Sequence, residues 1–174
     1  WAAKKDHLLY LAVCDSTGHG VQGTFKSLLS IGFLNEAISQ QNIKEPNKIL
    51  DHVRQKLIES ISKDGQQDGF DGILLCINQQ SNEISYAAAN NSPLLISNNT
   101  LSVLPSDRMP VGKGEKKDAF SVFSISVKKG DHLFLYTDGF ADQFGGSKGK
   151  KYKYKALNEF LQRNSIQSSN EQKQ

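Results

Sequence analysis

Residues 7–20 read HLLYLAVCDSTGHG. From His7 to Cys14 the run is apolar and rich in Leu, Val and Tyr, which is the length and composition of a buried strand. Asp15 ends it. The STGHG that follows carries two glycines and does not continue a strand. Apolar residues then fall at Phe25, Leu28, Leu29 and Phe33, a helical spacing that starts near Gly20. Residues 132–140, HLFLYTDGF, repeat the grammar with an apolar run, an aspartate at 138 and a glycine turn. A carboxylate at a strand end is aimed by a rigid sheet while the turn beside it lends backbone carbonyls, which suits a hard cation with oxygen ligands. An aspartate in such a place also caps turns and helices, and for a lone Asp-Gly that is the commoner outcome. Two apolar strands that each close in Asp-plus-turn exceed what turn chemistry requires.

Outward from these stretches, Pro46 in a first-turn position and the stripe Leu50, Val53, Leu57 and Ile61 predict a second helix, ended by the Gly/Gln/Asp stretch 64–69. The two helices are expected on one side of a sheet. From residue 70 the pattern changes to short β segments at 70–78, 83–89, 93–97, 101–104, 119–127 and 131–137, separated by Asn, Ser, Gly and Pro. The connections 79–82, 98–99 and 128–131 are of hairpin length, so the strands are read as antiparallel. Strands grouped apart from helices indicate an α+β fold. A Gly- and Lys-rich loop, GGSKGKKYKYK, then leads to a last amphipathic helix over 154–161 and a tail, SIQSSNEQKQ, without apolar periodicity. No repeat or Pro-rich linker divides the chain, and residues 1–174 are read as one domain.

With 37% hydrophobic and 22% charged residues, the 174-residue chain is somewhat polar, yet its apolar runs recur from Leu8 to Phe160, which excludes wholesale disorder. Cys14 and Cys76 sit inside apolar runs, and no signal peptide or bilayer-length run is present, so a cytoplasmic domain with reduced thiols and no membrane contact is expected. His7, His19, His52 and His132 are scattered, which leaves no zinc spacing and favours magnesium or manganese. A net charge of +3 does not by itself call for nucleic acid. The lysines at 148, 150, 151, 153 and 155, interleaved with Tyr152 and Tyr154, read either as a nucleic-acid patch or as a solvated basic flap, and a flap is what such charge runs usually are.

D-x-[ST]-G-H-G before an amphipathic helix, and later L-Y-T-D-G-F, resemble the two hallmark motifs of SpoIIE-like members of the metal-dependent (2C-type, PPM) serine/threonine protein phosphatases. Between them, ISYAAANNSPLLI resembles that family's Y-x-x-A-G-H-N-P-x-L-L segment, PVG at 110–112 its P-L-G, and VKKGDHLFLYTDGFADQFGG its terminal strand motif. The resemblance covers roughly residues 7–161 in five collinear segments. It implies a four-layer α-β-β-α sandwich of two antiparallel sheets flanked by helices, with two Mn2+ or Mg2+ ions at one edge and a metal-bridged water that attacks phosphorus without a phosphoenzyme.

Carried over by motif, the resemblance makes Asp15 the bridging ligand, the Ser16 carbonyl a ligand of one ion, Asp138 a ligand of the other and His19 the candidate general acid. His19 also reads as a residue that merely packs in the turn. Asp71, in DGFDG, reads as an additional or outer ligand or as a turn-forming aspartate. Asn90 stands where the family has His, while Asn91 is retained. The family's Gly-Asp-[FY]-x-[DW] segment and its C-terminal acidic pair are not in this sequence, so the chain reads as a phosphatase domain truncated at both ends. By the same resemblance it is the output of a bacterial signalling protein, with an upstream sensor domain and a phosphorylated anti-anti-sigma type protein as substrate. The alternative is a non-catalytic, pseudophosphatase-like module that binds partners.

Overall fold

The computed structural model describes residues 1–61, 68–145, 149–167 and 171. The chain begins with β1 (Ala2–Lys5), β2 (Leu8–Ser16), α1 (Gly20–Asn35) and α2 (Pro46–Ile61), followed by β3 (Asp68–Asn78) and β4 (Ile84–Ala89). It continues with β5 (Leu94–Ser97), β6 (Thr100–Val103), β7 (Val111–Lys113), β8 (Phe123–Ile125) and β9 (His132–Phe134). Last come β10 (Phe144–Gly145), β11 (Lys150–Lys151) and α3 (Lys153–Asn164). All strand pairs are antiparallel, and the fold is α+β, as expected. No helix among the described residues is long and apolar enough to cross a membrane.

Two compact units result, Trp1–Ser92 with Pro105–Ser126, and Pro93–Leu104 with Val127–Gln174. The first holds a sheet in the order β1-β2-β3-β4-β8, with β7 also pairing to β3. Alternate residues on one sheet face, Tyr10, Ala12, Leu74, Cys76 and Ala87 among them, share a core with Leu34, Ile38, Ile49, Leu50, Val53 and Leu57 from the helical layer. The predicted α2 stripe is therefore the face that packs, and truncating one of its leucines should cost about 2–5 kcal/mol. Between α1 and α2 the chain makes a π-helical turn, Glu36–Gln40, whose Ile38 carbonyl accepts a hydrogen bond from Lys5 Nζ at 2.6 Å.

The predicted strand 119–127 is cut to Phe123–Ile125 because its first residues are bonded elsewhere. Asp51 Oδ1 accepts the Phe120 amide at 3.2 Å, Asn47 donates to the Phe120 carbonyl at 3.2 Å, and Asp107 accepts the Ser121 amide at 2.7 Å. Arg54 lies over the Phe120 ring, 4.8 Å from its centroid, and donates to the Asp118 carbonyl at 2.8 Å. Side chains have replaced a ladder there.

The second unit holds a three-stranded sheet, β6-β5-β9, the short β10–β11 hairpin and α3. Asn98 and Asn99 have φ of 49° and 60°, the left-handed pair that a two-residue type I′ turn needs, so that predicted hairpin forms. The segment 128–131 does not make one. β8 pairs with β4 and β9 with β5, so the chain passes there from one sheet to another. The Gly- and Lys-rich loop contains the unpredicted β10–β11 pair, and Lys151 is ion-paired with Asp142 at 2.7 Å. Lys148, residues 64–67 of the predicted helix stop, and residues 168–170 and 172–174 of the tail lie outside the described residues.

Candidate functional site

β2 and β3 pair over nine positions, and the register sets Cys14 opposite Gly72, Asp15 opposite Asp71 and Ser16 opposite Phe70. A Cβ at position 72 would stand 2.7 Å from the Val13 carbonyl oxygen and 3.1 Å from Cys14 Cα, so glycine is what lets the strands close beside the aspartates. Directly opposed residues on one face of an antiparallel pair have Cβ atoms roughly 4.5–5.5 Å apart. The two carboxylates are thus held as neighbours by the backbone itself. Like charges so placed repel, and a cation relieves that repulsion.

Asn90 completes the corner. It follows β4 with φ of 59°, its amide N–H donates to the Asp107 carbonyl at 2.8 Å, and its Nδ2 donates to Asp71 Oδ1 at 2.7 Å. The left-handed backbone turns its side chain onto Asp71, which fixes one carboxylate oxygen. The sequence singled out Asn90 only as a departure from a family segment. The signal that marks it physically is Asn-Asn directly after a strand, a pair suited to positive φ.

The turn after Asp15 is braced from several directions. Thr17 N–H donates to the Gly69 carbonyl at 3.0 Å, and Thr17 Oγ1 accepts from the Gly69 amide at 3.3 Å. Lys26 of α1 is ion-paired with Asp68, and Ser27 Oγ lies 3.0 Å from Ser16 Oγ. Gly18, at φ of 99°, provides the bend into the helix. His19 occupies the N-cap position of α1, exposed and without a side-chain cap bond. The cap position thus belongs to His19, and Asp15 is a strand residue of β2.

Asp138, in the other unit, stands differently. β9 ends at Phe134, so Leu135, Tyr136 and Thr137 separate the strand from the aspartate, and Asp138 opens a helical turn closed by Asp142 N–H on its carbonyl at 2.9 Å. The expected strand-end aspartate is a turn aspartate here, with an exposed carboxylate. Tyr136 packs against Tyr154 with ring centroids 6.2 Å apart, and burial raises its phenol above the ordinary tyrosine range.

In kind, the oxygen donors of the first unit, Asp15, Asp71 and the backbone carbonyl of Ser16, fit magnesium or manganese rather than a thiophilic metal. In number, no group of three or more His, Cys, Asp or Glu that could hold an ion occurs among the described residues.

The sequence profile of the family described as Stage II sporulation protein E (SpoIIE) matches residues 5–174. No match is found among curated proteins. Among solved structures, the SiaA-PP2C domain of Pseudomonas aeruginosa is similar at a TM-score of 0.86 and 23% identity, over 99% of this chain and 68% of that one. A structure of RsbU and RsbW domains from Mycobacterium tuberculosis is similar at a TM-score of 0.74 and 20% identity, over 95% of this chain and 45% of that one. The PP2C phosphatase domain of SpoIIE from Bacillus subtilis, with a fragment of its regulatory domain, gives a TM-score of 0.66 and 18% identity, over 82% and 42%. This chain thus spans less than half of the latter two, and identities this low speak for the fold alone. On the profile match the chain belongs to the SpoIIE family, and its fold is that of the 2C-type protein phosphatases.

Proposed function

We propose that the chain is a metal-dependent phosphatase domain that hydrolyses phosphoserine or phosphothreonine on a regulatory protein, as the output of a signalling protein. The observation that carries this reading is the opposed pair Asp15 and Asp71, set by strand register and oriented by Asn90. Asp15, Asp71 and the Ser16 carbonyl would hold divalent ions, and Asp138 is proposed as a further ligand on the strength of its motif. Bound Mn2+ or Mg2+ would supply an acidified water as nucleophile and counter the charge of the phosphoryl group. RsbX, a protein of similar fold at a TM-score of 0.61, has been crystallised in complex with magnesium.

The chain's own residues do the rest. Thr17, Lys26 and Asp68 hold the turn, so Asp15 and Ser16 keep their aim without reorganisation. His19, exposed at the start of α1, is proposed as the residue that protonates the departing serine or threonine oxygen, on the strength of its place in STGHG. The signalling setting is proposed from the SpoIIE family match, and a phosphorylated anti-anti-sigma type protein is proposed as the substrate class from the motif resemblance alone.

A non-catalytic module is the second reading. It is favoured by the lack of a three-residue ligand group among the described residues. Calorimetric titration with Mn2+, alongside hydrolysis of a phosphoserine peptide, separates the two. Manganese-dependent turnover that Asp15→Asn abolishes supports the phosphatase. Metal binding without turnover moves the assignment to the non-catalytic module.

A further inference from the structure

Outside the carboxylate corner, the first unit contains a cleft of about 430 Å³ between α2 and the loop that follows β7. Its walls carry four cationic side chains, Arg54, Lys113, Lys116 and Lys117, against one carboxylate, Asp51. That carboxylate is already engaged, since its Oδ1 accepts from Arg54 at 2.8 Å and from the Phe120 amide at 3.2 Å. Arg54 is in turn fixed by Asp51, the Asp118 carbonyl and the Phe120 ring, which makes that wall rigid. Among the described residues, none of the three lysines enters an ion pair. Glu115 and Asp118 lie in the same stretch of chain but do not line the cleft, whose walls carry a net positive charge on a fixed support.

Its place in the sheet gives that charge a use. β7 pairs with the start of β3, with Lys113 opposite Asp68 and Val111 opposite Phe70, and three residues further along β3 stands Asp71, opposite Asp15. At a strand rise of about 3.3 Å per residue, the cleft and the carboxylate corner are on the order of 10 Å apart along β3. They lie at the same end of the sheet but on opposite faces, since Lys113 and Asp68 share the helix-packed face with Phe70 and Val111 while Asp15 and Asp71 alternate to the other. A substrate segment that reaches both passes round the end of the sheet.

We propose that this cleft holds an acidic segment flanking the phosphorylated residue of the protein substrate, and so determines which phosphoproteins are accepted. The proposal rests on the phosphatase reading for its substrate. The lysines are strung along a loop as separate point charges, which matches a run of carboxylates on a peptide better than one compact anion.

The test uses a fluorescein-labelled, non-phosphorylated, glutamate-rich peptide read by anisotropy, so it does not depend on turnover. The variant Lys113→Gln/Lys116→Gln/Lys117→Gln should weaken binding about tenfold, while Lys150→Gln/Lys155→Gln in the basic flap changes it less than twofold. With phosphoserine peptides, the cleft variant should raise KM about tenfold for an acidic flank, leave kcat within twofold, and leave a neutral-flank peptide unaffected. Lys116→Glu/Lys117→Glu should invert the preference toward a lysine-flanked peptide. Wild-type affinity in the cleft variant, a larger loss in the flap variant, or inorganic pyrophosphate competing as tightly as the peptide would each overturn the proposal. If no peptide is hydrolysed but the anisotropy results hold, the phosphatase reading fails and the acidic-segment cleft stands.

Discussion

The corners that carry Asp15 and Asp138 start from similar sequence, LAVCDSTG and FLYTDGF, and end in different structures. β2 has a strand on each side, β1 and β3, and its ladder with β3 runs through Asp15 to Ser16. Among the described residues β9 pairs with β5 alone, which is four residues long, and the pairing stops at Phe134. An apolar run followed by Asp-Gly or Asp-Ser-Thr-Gly therefore does not fix where a strand ends. The partner's length does, because each further residue needs a hydrogen-bonding neighbour to hold the extended form. The first corner ends a nine-residue ladder with β3, backed by β1 over Leu8 to Leu11, whereas the second hangs on a short edge and on aromatic packing, Tyr136 on Tyr154 and Phe140 on Tyr152 and Phe160.

Hydrogen exchange offers the largest expected contrast. Amides of Tyr10 to Cys14 should open only with global unfolding, while those of Leu135 to Thr137 open locally, a difference on the order of 10⁴ in protection. Equal protection at the two corners would break the comparison.

Substitution probes the same contrast through charge. With Mn2+ present, Asp15→Asn should lower phosphopeptide hydrolysis by roughly 10³. Without metal the same change should raise stability by about 0.2–1 kcal/mol, because it relieves the repulsion from Asp71 across the strands. Asp138 has no carboxylate opposite it in a ladder, so Asp138→Asn should leave metal-free stability within about 0.5 kcal/mol. Denaturant melts of the three proteins in EDTA measure this. A metal-free gain in Asp138→Asn alone would mean that the charge pairing has been assigned to the wrong corner.

A smaller effect is expected at Asn90. Asn90→Ala should lower metal affinity about tenfold by freeing Asp71, with little change in the melting curve of the metal-free protein. Asn90→Asp would add a third carboxylate to the corner and should steepen the dependence of stability on Mn2+. Unchanged calorimetric affinity in Asn90→Ala would remove Asn90 from the site.

Much of this was legible in the sequence, and the failures share a cause. The α2 stripe, β2, the apolar part of β3 and the Asn98–Asn99 turn each advertise themselves within a few residues, by period, by run length or by side chains tolerant of positive φ. β1 does not. Its AAKK has no strand pattern and is a strand because β2 offers it an edge. β7, three residues of Val-Gly-Lys, exists only through its pairing with β3. The truncation of the predicted strand at 119–127 comes from Asp51, Asn47 and Asp107, which are distant in sequence and take over its backbone groups. The pairing of Asp15 with Asp71 is of the same kind. Each aspartate stands alone in its own motif, but register across a separation of 56 positions is set by Gly72 and the full ladder, not by anything local to either motif. Its neighbour Cys14, expected as a reduced thiol within an apolar run, is a free thiol that burial pushes up to about 12.

The smallest expected effect is also the most direct way to sharpen the comparison, because it strengthens the weak corner without touching it. Asn99 has φ of 60° in the two-residue turn that joins β5 to β6, and Gln162 of α3 donates to its carbonyl at 2.7 Å. Glycine adopts that backbone without strain, and Asn-Gly is the favoured type I′ pair, so Asn99→Gly should stabilise the hairpin by about 0.4–1 kcal/mol while keeping the backbone contact to Gln162. If the Asp138 corner is loose because β5 supports β9 poorly, the gain should reach it through the sheet. Protection at Leu133 and Phe134 should rise about two- to fivefold, with no change at Tyr10 to Cys14. A rise confined to residues 97–101 would mean that the hairpin and β9 open independently. The looseness beyond Phe134 would then be traced to the turn that begins at Asp138, not to the short sheet before it.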